Sequence, residues 1–402
     1  MGKNVIEKIT VKIVKILLIH TAYQQRGGED IVFEQECQLL KHNNDVEMLV
    51  FQNKSGLSGA LQFVISIWNC FAAKKVREKI RNFRPDVIHI HNWHFSTGPI
   101  IIRTVKKMKY PLVVTLHNYR LLCPSAVLLH RGQKFENSLF VNFPWMAVRK
   151  KVYRNSFIQT FWLSFIICTH KKIGTWNKPN KYIALTEFSK DLFVNHSLKM
   201  PFEKIVVKPN FVHESDNGKD IKKEDIFLFI GRLSEEKGII NLLSAFKRNE
   251  LKLRIGGTGP LVDKVKETCT QYPNIEYLGV LKKEQVTQQM QECFALVFPS
   301  TCYEGMPMVI LEAFSLKMPV IASKTGAMKT MIKHGCNGFH FEPENIDDLC
   351  EITKKWAEMT NVEKEKFYYN AGKTYKELYT PEKNMIQLMD IYKSVIEENR
   401  ET

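Results

Sequence analysis

The chain has 402 residues, 44% of them hydrophobic and 25% charged, and its formal net charge is +16. This composition excludes a disordered or fibrous protein, and the length exceeds what one hydrophobic core usually organises, so two domains are expected. Nine cysteines without a C-x-x-C pair exclude a disulfide framework and a zinc ribbon, and they predict a reduced, cytoplasmic protein.

The N-terminal segment does not have the pattern of a secretory signal. Lys3, Lys8, Lys12 and Lys15 are spread through its apolar residues, and a small-residue cleavage site is missing. This pattern argues against secretion.

Apolar runs alternate with helical segments along the chain in two successive series. Such alternation predicts an α/β fold with two Rossmann-like, doubly wound parallel-sheet domains. The polar segment 213–225 between the series is the predicted linker, so the domains are expected at residues 1–212 and 226–375. The predicted strands are Ile13–His20, Val46–Phe51, Val87–His91, Leu112–His117, Tyr182–Leu185, Ile205–Lys208, Phe227–Ile230, Leu251–Gly256, Ile275–Leu278, Ala295–Phe298, Val320–Ala322 and Gly338–Phe341.

A glycine pair follows the first predicted strand. Gly27 and Gly28 precede a helical segment, and glycines allow the backbone to approach a ligand closely. The start of the following helix is electropositive. These two glycines are therefore candidates for contact with an anionic ligand.

Histidines concentrate at the ends of two predicted strands. His89, His91 and His94 lie together, and His117 ends the next strand, at the sheet edge where doubly wound folds bind ligands. His89 and His91 share one face of a strand, but no carboxylate or cysteine lies nearby in sequence to complete a set of metal ligands. The pattern favours structural or cleft-lining histidines over a metal site.

The positive charge is concentrated in the first half of the chain. Residues 51–200 hold 24 Lys or Arg against 5 Asp or Glu. Two apolar stretches, Leu61–Ala73 and Phe157–Cys168, are flanked by these cations and are too short to span a bilayer, which needs about 20 apolar residues. They predict either buried helices or peripheral contact with an anionic membrane surface.

The second series contains a basic motif and an acidic motif. In Phe227–Gly238 a strand runs into a turn with Arg232 and Lys237, which can converge on one pyrophosphate. In Pro299–Phe314, Glu304 follows a strand and Glu312 lies about two helical turns further on. Carboxylates accept hydrogen bonds from vicinal hydroxyls, and free N–H groups at a helix start can bind a diphosphate. Together the motifs predict a nucleotide-sugar site. The segment Gly305, Met306, Pro307 and Met308 belongs to it, with free backbone N–H groups on its residues other than the proline.

These motifs resemble the donor site of family 4 retaining glycosyltransferases, which have the GT-B fold. The resemblance implies that Arg232 and Lys237 bind the donor diphosphate, that Glu312 binds the ribose hydroxyls, and that Glu304 and His117 contact the transferred sugar. It also implies that the loop with Gly27 and Gly28 closes over the donor.

The segment His117–Ser138 resembles bacterial capsular and exopolysaccharide transferases. The family resemblance implies that His91 lies near a saccharide acceptor and that the donor is a UDP-sugar rather than a GDP-sugar. Peripheral membrane contact is consistent with an acceptor carried on a lipid diphosphate. In the GT-B fold the last helix, here within 376–402, commonly packs back on the N-terminal domain.

Several alternatives remain open at this point. A dinucleotide-dependent oxidoreductase needs G-x-G-x-x-G, whereas the similar segment Ile255–Val262 has Val262 at the third glycine position. A sugar-nucleotide epimerase or a glycan phosphorylase would share the fold and the diphosphate residues. A nucleic-acid-binding protein would account for the basic charge but not for the donor motifs. No D-x-D sequence ends a strand, so neither a metal nor a cofactor is expected.

Overall fold

The computed structural model describes residues 13–24, 27–214 and 223–401. The N-terminal lysines as far as Lys12 and the centre of the predicted linker lie outside these ranges. Within them the chain forms two compact units. The first comprises the described residues of Met1–Thr115, Lys178–Lys181 and Asp390–Thr402, and the second comprises those of Leu116–Asn177 and Tyr182–Met389.

Fourteen strands lie within the described residues, and they include each of the twelve predicted ones with ends shifted by up to three residues. The strand Glu224–Ile230 begins within the last residues of the predicted linker segment 213–225. The strands are β1 Lys15–Ala22, β2 Asp45–Gln52, β3 Val87–Ile90, β4 Leu112–Leu116, β5 Leu129–His130, β6 Gln133–Lys134, β7 Lys181–Ala184, β8 Ile205–Val207, β9 Glu224–Ile230, β10 Leu253–Gly256, β11 Ile275–Gly279, β12 Cys293–Phe298, β13 Val320–Ser323 and β14 Gly338–Phe341.

Helices connect the strands of both large sheets. They are α1 Gly28–Lys41, α2 Gly56–Ile65, α3 Cys70–Phe83, α4 Ile100–Lys107, α5 Trp145–Arg149, α6 Phe157–Lys172, α7 Glu187–Asn195, α8 Ile239–Asn249, α9 Val262–Gln271, α10 Lys283–Glu292, α11 Met308–Ser315, α12 Met328–Met331, α13 Ile346–Glu358, α14 Asn361–Leu378 and α15 Pro381–Arg400.

The two six-stranded sheets have the strand orders β2-β1-β3-β4-β7-β8 and β11-β10-β9-β12-β13-β14, and β5 and β6 form a separate small antiparallel hairpin. The described pairings within the large sheets are parallel. The predicted α/β fold with two parallel-sheet, Rossmann-like domains is therefore confirmed.

Strand burial explains why these runs are continuously apolar. The side chains of Ile16 through Ile19 in β1 are fully buried, as expected where helices cover both faces of a parallel sheet. In the second sheet, Leu228 of β9 packs into one buried cluster while its neighbours Phe227 and Phe229 pack into another. Successive side chains thus point to opposite faces, and both faces are covered.

The strand orders place a switch point in each sheet. The order reverses between β1 and β3 in the first sheet and between β9 and β12 in the second. Doubly wound folds bind ligands beyond the carboxyl ends of the strands at such points. The loop with Gly27 follows β1 and His91 follows β3, while Arg232 follows β9 and Glu304 follows β12.

None of the helices described is long and apolar enough by itself to cross a membrane. The pair α2 and α3 reaches that length only as two helices bent by 78°.

Candidate functional site

The loop after β9 carries the two predicted diphosphate-binding cations. Arg232 is exposed and makes no ion pair with any residue that the structure describes. Lys237 lies in a 3-10 turn, Glu235–Lys237, that ends at Gly238. The φ angle of Gly238 is +72°, and a Cβ atom there would lie 2.0 Å from the carbonyl oxygen of Pro299. Glycine is therefore required where this loop packs against the loop after β12.

A buried ion pair joins the basic and the acidic motif. The Nζ atom of Lys237 lies 2.5 Å from Oε1 of Glu304, and the two side chains are 24% and 14% exposed. Burial opposes both charges, but the pairing outweighs it, so the pKa of Lys237 is raised and the pKa of Glu304 is lowered. Both groups are charged at neutral pH.

Two neighbours of the same loop complete the surroundings of the Glu304 carboxylate. The Ser300 hydroxyl donates a hydrogen bond to Oε1 at 2.6 Å, and the Cys302 thiol donates to it at 3.4 Å. Burial raises the pKa of the Cys302 thiol, and the neighbouring Glu304 charge adds to this, so the thiol stays protonated. Four groups, Glu304 included, thus converge beside the carboxyl end of β12.

The segment that follows β4 touches the backbone on both sides of the Glu304 peptide. The Tyr119 hydroxyl donates a hydrogen bond to the carbonyl oxygen of Glu304 at 3.0 Å. A Cβ atom on Gly305 would lie 2.4 Å from the carbonyl oxygen of His117. The glycine after Glu304 is thus needed for the close approach of His117, which lies beside the acidic motif.

Helix α11 begins directly after this turn, with Pro307 at its N-cap position and no side chain capping it. The sulfur of Met306 accepts a hydrogen bond from the backbone N–H of Asn210 at 3.2 Å, and the sulfur of Met308 lies 3.6 Å from the Asn210 side-chain nitrogen. The first N–H groups of a helix lack partners within it, so this turn offers donors to an anion.

Glu312 lies in the second turn of α11. Within the described part of the chain its carboxylate accepts no hydrogen bond, and burial raises its pKa, which Lys283 only partly offsets. A half-buried carboxylate without donors is stabilised by a ligand that brings hydroxyl groups to it. Glu304, by contrast, already has its donors.

In the first unit, a buried carboxylate holds the predicted glycine pair. Gly27 caps α1, and its backbone N–H donates to Oδ2 of Asp30 at 2.8 Å. The other oxygen of Asp30 lies 2.8 Å from Nε2 of His20, whose ring stacks on Phe33. Burial lowers the pKa of His20, and because a carboxylate only accepts, Nε2 carries the proton of the neutral ring.

The structure brings a carboxylate to the histidine pair, contrary to the expectation drawn from sequence neighbours. Oε1 of Glu36 lies 3.4 Å from Nδ1 of His89 and 3.1 Å from Nε2 of His91, and the three groups are close enough to hold a metal ion. Both ring nitrogens of His89 already form hydrogen bonds, to Tyr392 at 2.8 Å and to Thr115 at 2.7 Å. This arrangement fits a hydrogen-bonded core better than a metal site.

Sequence reasoning missed the groups that hold the predicted residues in place. Ser300 and Cys302 could have been predicted as site residues, because they belong to the same short turn as Glu304. Tyr119 was harder to predict, since only its position two residues after His117 indicates it. Asp30 and Glu36 are buried residues of α1, and their histidine partners lie in β1 and at the end of β3. The sequence around α1 does not indicate these partners.

Comparison with known proteins adds an independent line of evidence. Residues 56–216 match the family described as Glycosyltransferase Family 4, and residues 213–374 match the family described as Glycosyl transferases group 1. An uncharacterised glycosyltransferase of Methanocaldococcus jannaschii is 22% identical over 354 residues, which is 82% of this chain and 81% of that protein. A poly(ribitol-phosphate) alpha-N-acetylglucosaminyltransferase of Staphylococcus aureus is 31% identical over 183 residues, or 44% of this chain and 36% of that one.

The solved structures agree with the fold. The crystal structure of HepE from Anabaena in complex with UDP has a TM-score of 0.65 and 18% identity, and the match covers 94% of this chain and 100% of HepE. The fold has two parallel-sheet domains, and two consecutive segments of the chain match glycosyltransferase families. Both observations indicate the same class of enzyme. The chain is a GT-B glycosyltransferase similar to family 4.

Proposed function

We propose that this enzyme is a retaining hexosyltransferase that moves a sugar from a nucleoside-diphosphate sugar to a saccharide acceptor on a lipid diphosphate, in surface polysaccharide synthesis. The ion pair of Lys237 with Glu304 at the switch point of the second sheet carries this proposal. It joins a cation suited to phosphate and a carboxylate suited to sugar hydroxyls where doubly wound folds bind ligands.

The proposed roles follow from the chemistry of each group. Arg232 is unpaired among the described residues and offers its guanidinium fork to the donor diphosphate, while Lys237 adds a second positive charge. Glu312 accepts hydrogen bonds from the ribose hydroxyls. Glu304 and His117 contact the transferred sugar, and the loop with Gly27 and Gly28 covers the donor.

The leaving group is a nucleoside diphosphate, whose negative charge grows as the glycosidic bond breaks. Arg232, Lys237 and the backbone N–H groups of Gly305, Met306 and Met308 stabilise that charge electrostatically from fixed positions. These groups supply what a divalent cation would otherwise supply, so we propose transfer without a metal and without a cofactor.

Two similar proteins support the proposed donor nucleotide and the proposed class of acceptor. HepE of Anabaena was solved with UDP and with UDP-glucose. The S. aureus relative acts on a poly(ribitol phosphate). On these grounds we propose a UDP-sugar over a GDP-sugar, and an acceptor of the cell-surface polymer class.

Calorimetric titration of the purified enzyme with UDP-, GDP- and dTDP-sugars tests the donor site. We expect saturable binding of one nucleotide-sugar, lost in Arg232→Ala. Binding of NAD or duplex DNA alone would refute the proposal in favour of an oxidoreductase or a nucleic-acid-binding protein. Interconversion of the nucleotide-sugar without any acceptor would indicate an epimerase, and phosphate-dependent cleavage of a glycan a phosphorylase.

We also propose that the enzyme works in the cytoplasm, on the inner face of the plasma membrane. In the first predicted membrane segment, Leu61, Trp68 and Phe71 are 62%, 49% and 76% exposed. In the second, Phe157 and Ile158 are 48% and 76% exposed. Exposed apolar side chains within a basic region fit an anionic lipid surface. Flotation with vesicles that contain phosphatidylglycerol tests this, and the absence of binding at low ionic strength would refute it.

A further inference from the structure

A single acidic residue stands in a long basic stretch of the chain. Glu136 is the only Asp or Glu between Asp86 and Glu187, a stretch that holds 15 Lys or Arg. A carboxylate in such surroundings would be expected to pair with a neighbouring cation on the surface. Glu136 instead accepts a hydrogen bond from the hydroxyl of Tyr303.

Tyr303 directly precedes Glu304, and the segment Val127–Glu136 holds it from several sides. Its backbone N–H donates to the carbonyl oxygen of Val127 at 3.3 Å. Nζ of Lys134 lies 5.6 Å from the centre of its ring, and the ring of Phe188 packs on it at 5.1 Å. Burial raises the pKa of the Tyr303 hydroxyl and the bond to Glu136 raises it further, so the hydroxyl remains a donor at any ordinary pH.

The same segment reaches the basic motif. A Cβ atom on Gly132, in the turn between β5 and β6, would lie 3.8 Å from a carboxylate oxygen of Glu235. Glu235 begins the 3-10 turn that carries Lys237. The β5–β6 hairpin therefore lies against both loops from which the ion pair of Lys237 with Glu304 is formed.

From these contacts we infer that Glu136 is a positioning residue for the transfer reaction: it fixes Tyr303 and thereby the orientation of Glu304. This inference rests on the proposed function, because it presupposes that Glu304 contacts the transferred sugar. Glu136 acts through the Tyr303 hydroxyl and does not touch the donor. Nucleotide binding by Arg232 and Glu312 does not depend on it.

A set of substitutions tests the inference. Glu136→Ala removes the acceptor, Glu136→Gln keeps an acceptor oxygen, and Tyr303→Phe removes the donor. Gln133→Ala, an exposed position on the same hairpin, is the matched control. We expect Glu136→Ala and Tyr303→Phe each to lower kcat roughly tenfold or more, since a hydrogen bond to a charged group is lost. Affinity for the nucleoside diphosphate should stay within twofold, Glu136→Gln should recover much of the turnover, and Gln133→Ala should have little effect.

A double-substitution cycle separates positioning from general stability. If Glu136 acts through Tyr303, the double variant should be no slower than the slower single variant, whereas independent structural losses would multiply. Turnover of Glu136→Ala within twofold of the unmodified enzyme would overturn the inference. So would a loss of turnover that only follows a lower melting temperature and weaker nucleotide binding.

A second measurement does not depend on any transferase activity. Hydrogen exchange of the backbone amides in 299–310 should be faster in Glu136→Ala than in Gln133→Ala, because the turn of Tyr303 is released. Unchanged exchange would refute the positioning role even if the enzyme is active. Faster exchange without any nucleotide binding in the unmodified protein would instead refute the proposed function and leave the contact between Glu136 and Tyr303 supported.

Discussion

Replacement of Lys237 by methionine should destabilise the protein in a way that depends on pH. The substitution leaves the Glu304 carboxylate, which is 14% exposed, without its counter-charge. The folded variant then keeps an uncompensated charge or takes up a proton. Protonation of a glutamate with an ordinary pKa of about 4.5 costs about 3.4 kcal/mol at pH 7, at 1.36 kcal/mol per unit, and this sets the scale of the protonation cost in the folded variant.

Hydrogen bonds from Ser300 and Cys302 remain and stabilise the charged form of Glu304. We therefore expect a deficit of about 2 to 3 kcal/mol at pH 7 in the free energy of unfolding. In the unmodified protein the pKa of Glu304 is lowered, so its contribution is present above the unfolded pKa and is lost as the pH falls through the folded value. The deficit of the variant should accordingly shrink towards acid pH.

Urea unfolding of Lys237→Met at several pH values between 7.5 and 4.5 measures this dependence. The exposed pair of Arg248 with Asp347 supplies the control, because a solvent-exposed ion pair is screened by water and Arg248→Met should leave stability nearly unchanged. Adding Glu304→Gln to Lys237→Met should restore much of the loss, since the unpaired charge is gone. A deficit that is the same at both ends of the pH range, or that Glu304→Gln does not relieve, would refute the reasoning.

Three further predictions concern other positions. Gly238→Ala should destabilise the protein by about 1 to 2 kcal/mol more than Gly279→Ala. The two glycines have similar positive φ angles, but at Gly279 no atom lies within 4 Å of the added Cβ. Thermal unfolding of both variants compares them, and equal losses of stability would contradict the packing argument. Glu312→Gln should weaken nucleotide binding, as calorimetry would show. In the unmodified enzyme the affinity should fall as the pH falls through the raised pKa of the Glu312 carboxyl, and the substitution should abolish this pH dependence. If the substitution leaves the pH profile of the affinity unchanged, Glu312 does not bind the ribose. Tyr392→Phe should lower the free energy of unfolding by about 1 kcal/mol, because it removes one hydrogen-bond partner of His89. Urea unfolding measures this loss, and nucleotide binding should not change. An unchanged free energy of unfolding would contradict the buried hydrogen bond.

The sequence was sufficient to predict the strands because parallel strands covered on both faces are continuously apolar. The loops after β9 and β12 could also be placed, since Gly231 and Pro299 end those apolar runs. That Lys237 and Glu304 lie near each other could be predicted only by assuming that β9 and β12 are neighbouring strands. Their direct pairing at 2.5 Å depends on how two loops 67 residues apart in sequence pack, which no local pattern reports.

The histidine cluster could be predicted only in part. The sequence indicated that His89 and His91 lie together at one strand, but their partner Glu36 lies more than fifty residues earlier, on a helix. Glu136 was visible only as an isolated acid in a basic stretch, and nothing in its surroundings indicated Tyr303. In both cases a long-range contact supplied the partner. Such contacts follow from tertiary packing and not from spacing along the chain.

The hydrogen bond of His89 with Tyr392 also bears on how the chain reaches its native state. The two residues are 303 positions apart, and Tyr392 is fully buried in the first unit. During synthesis, every strand of the first sheet leaves the ribosome before the residue that completes its buried polar network. Domains whose sequence is continuous can finish folding while translation proceeds. This unit takes up the chain again only at Asp390, so a nascent chain that stops before Tyr392 lacks one of the hydrogen-bond partners of His89, and the unit should be more open to proteolysis.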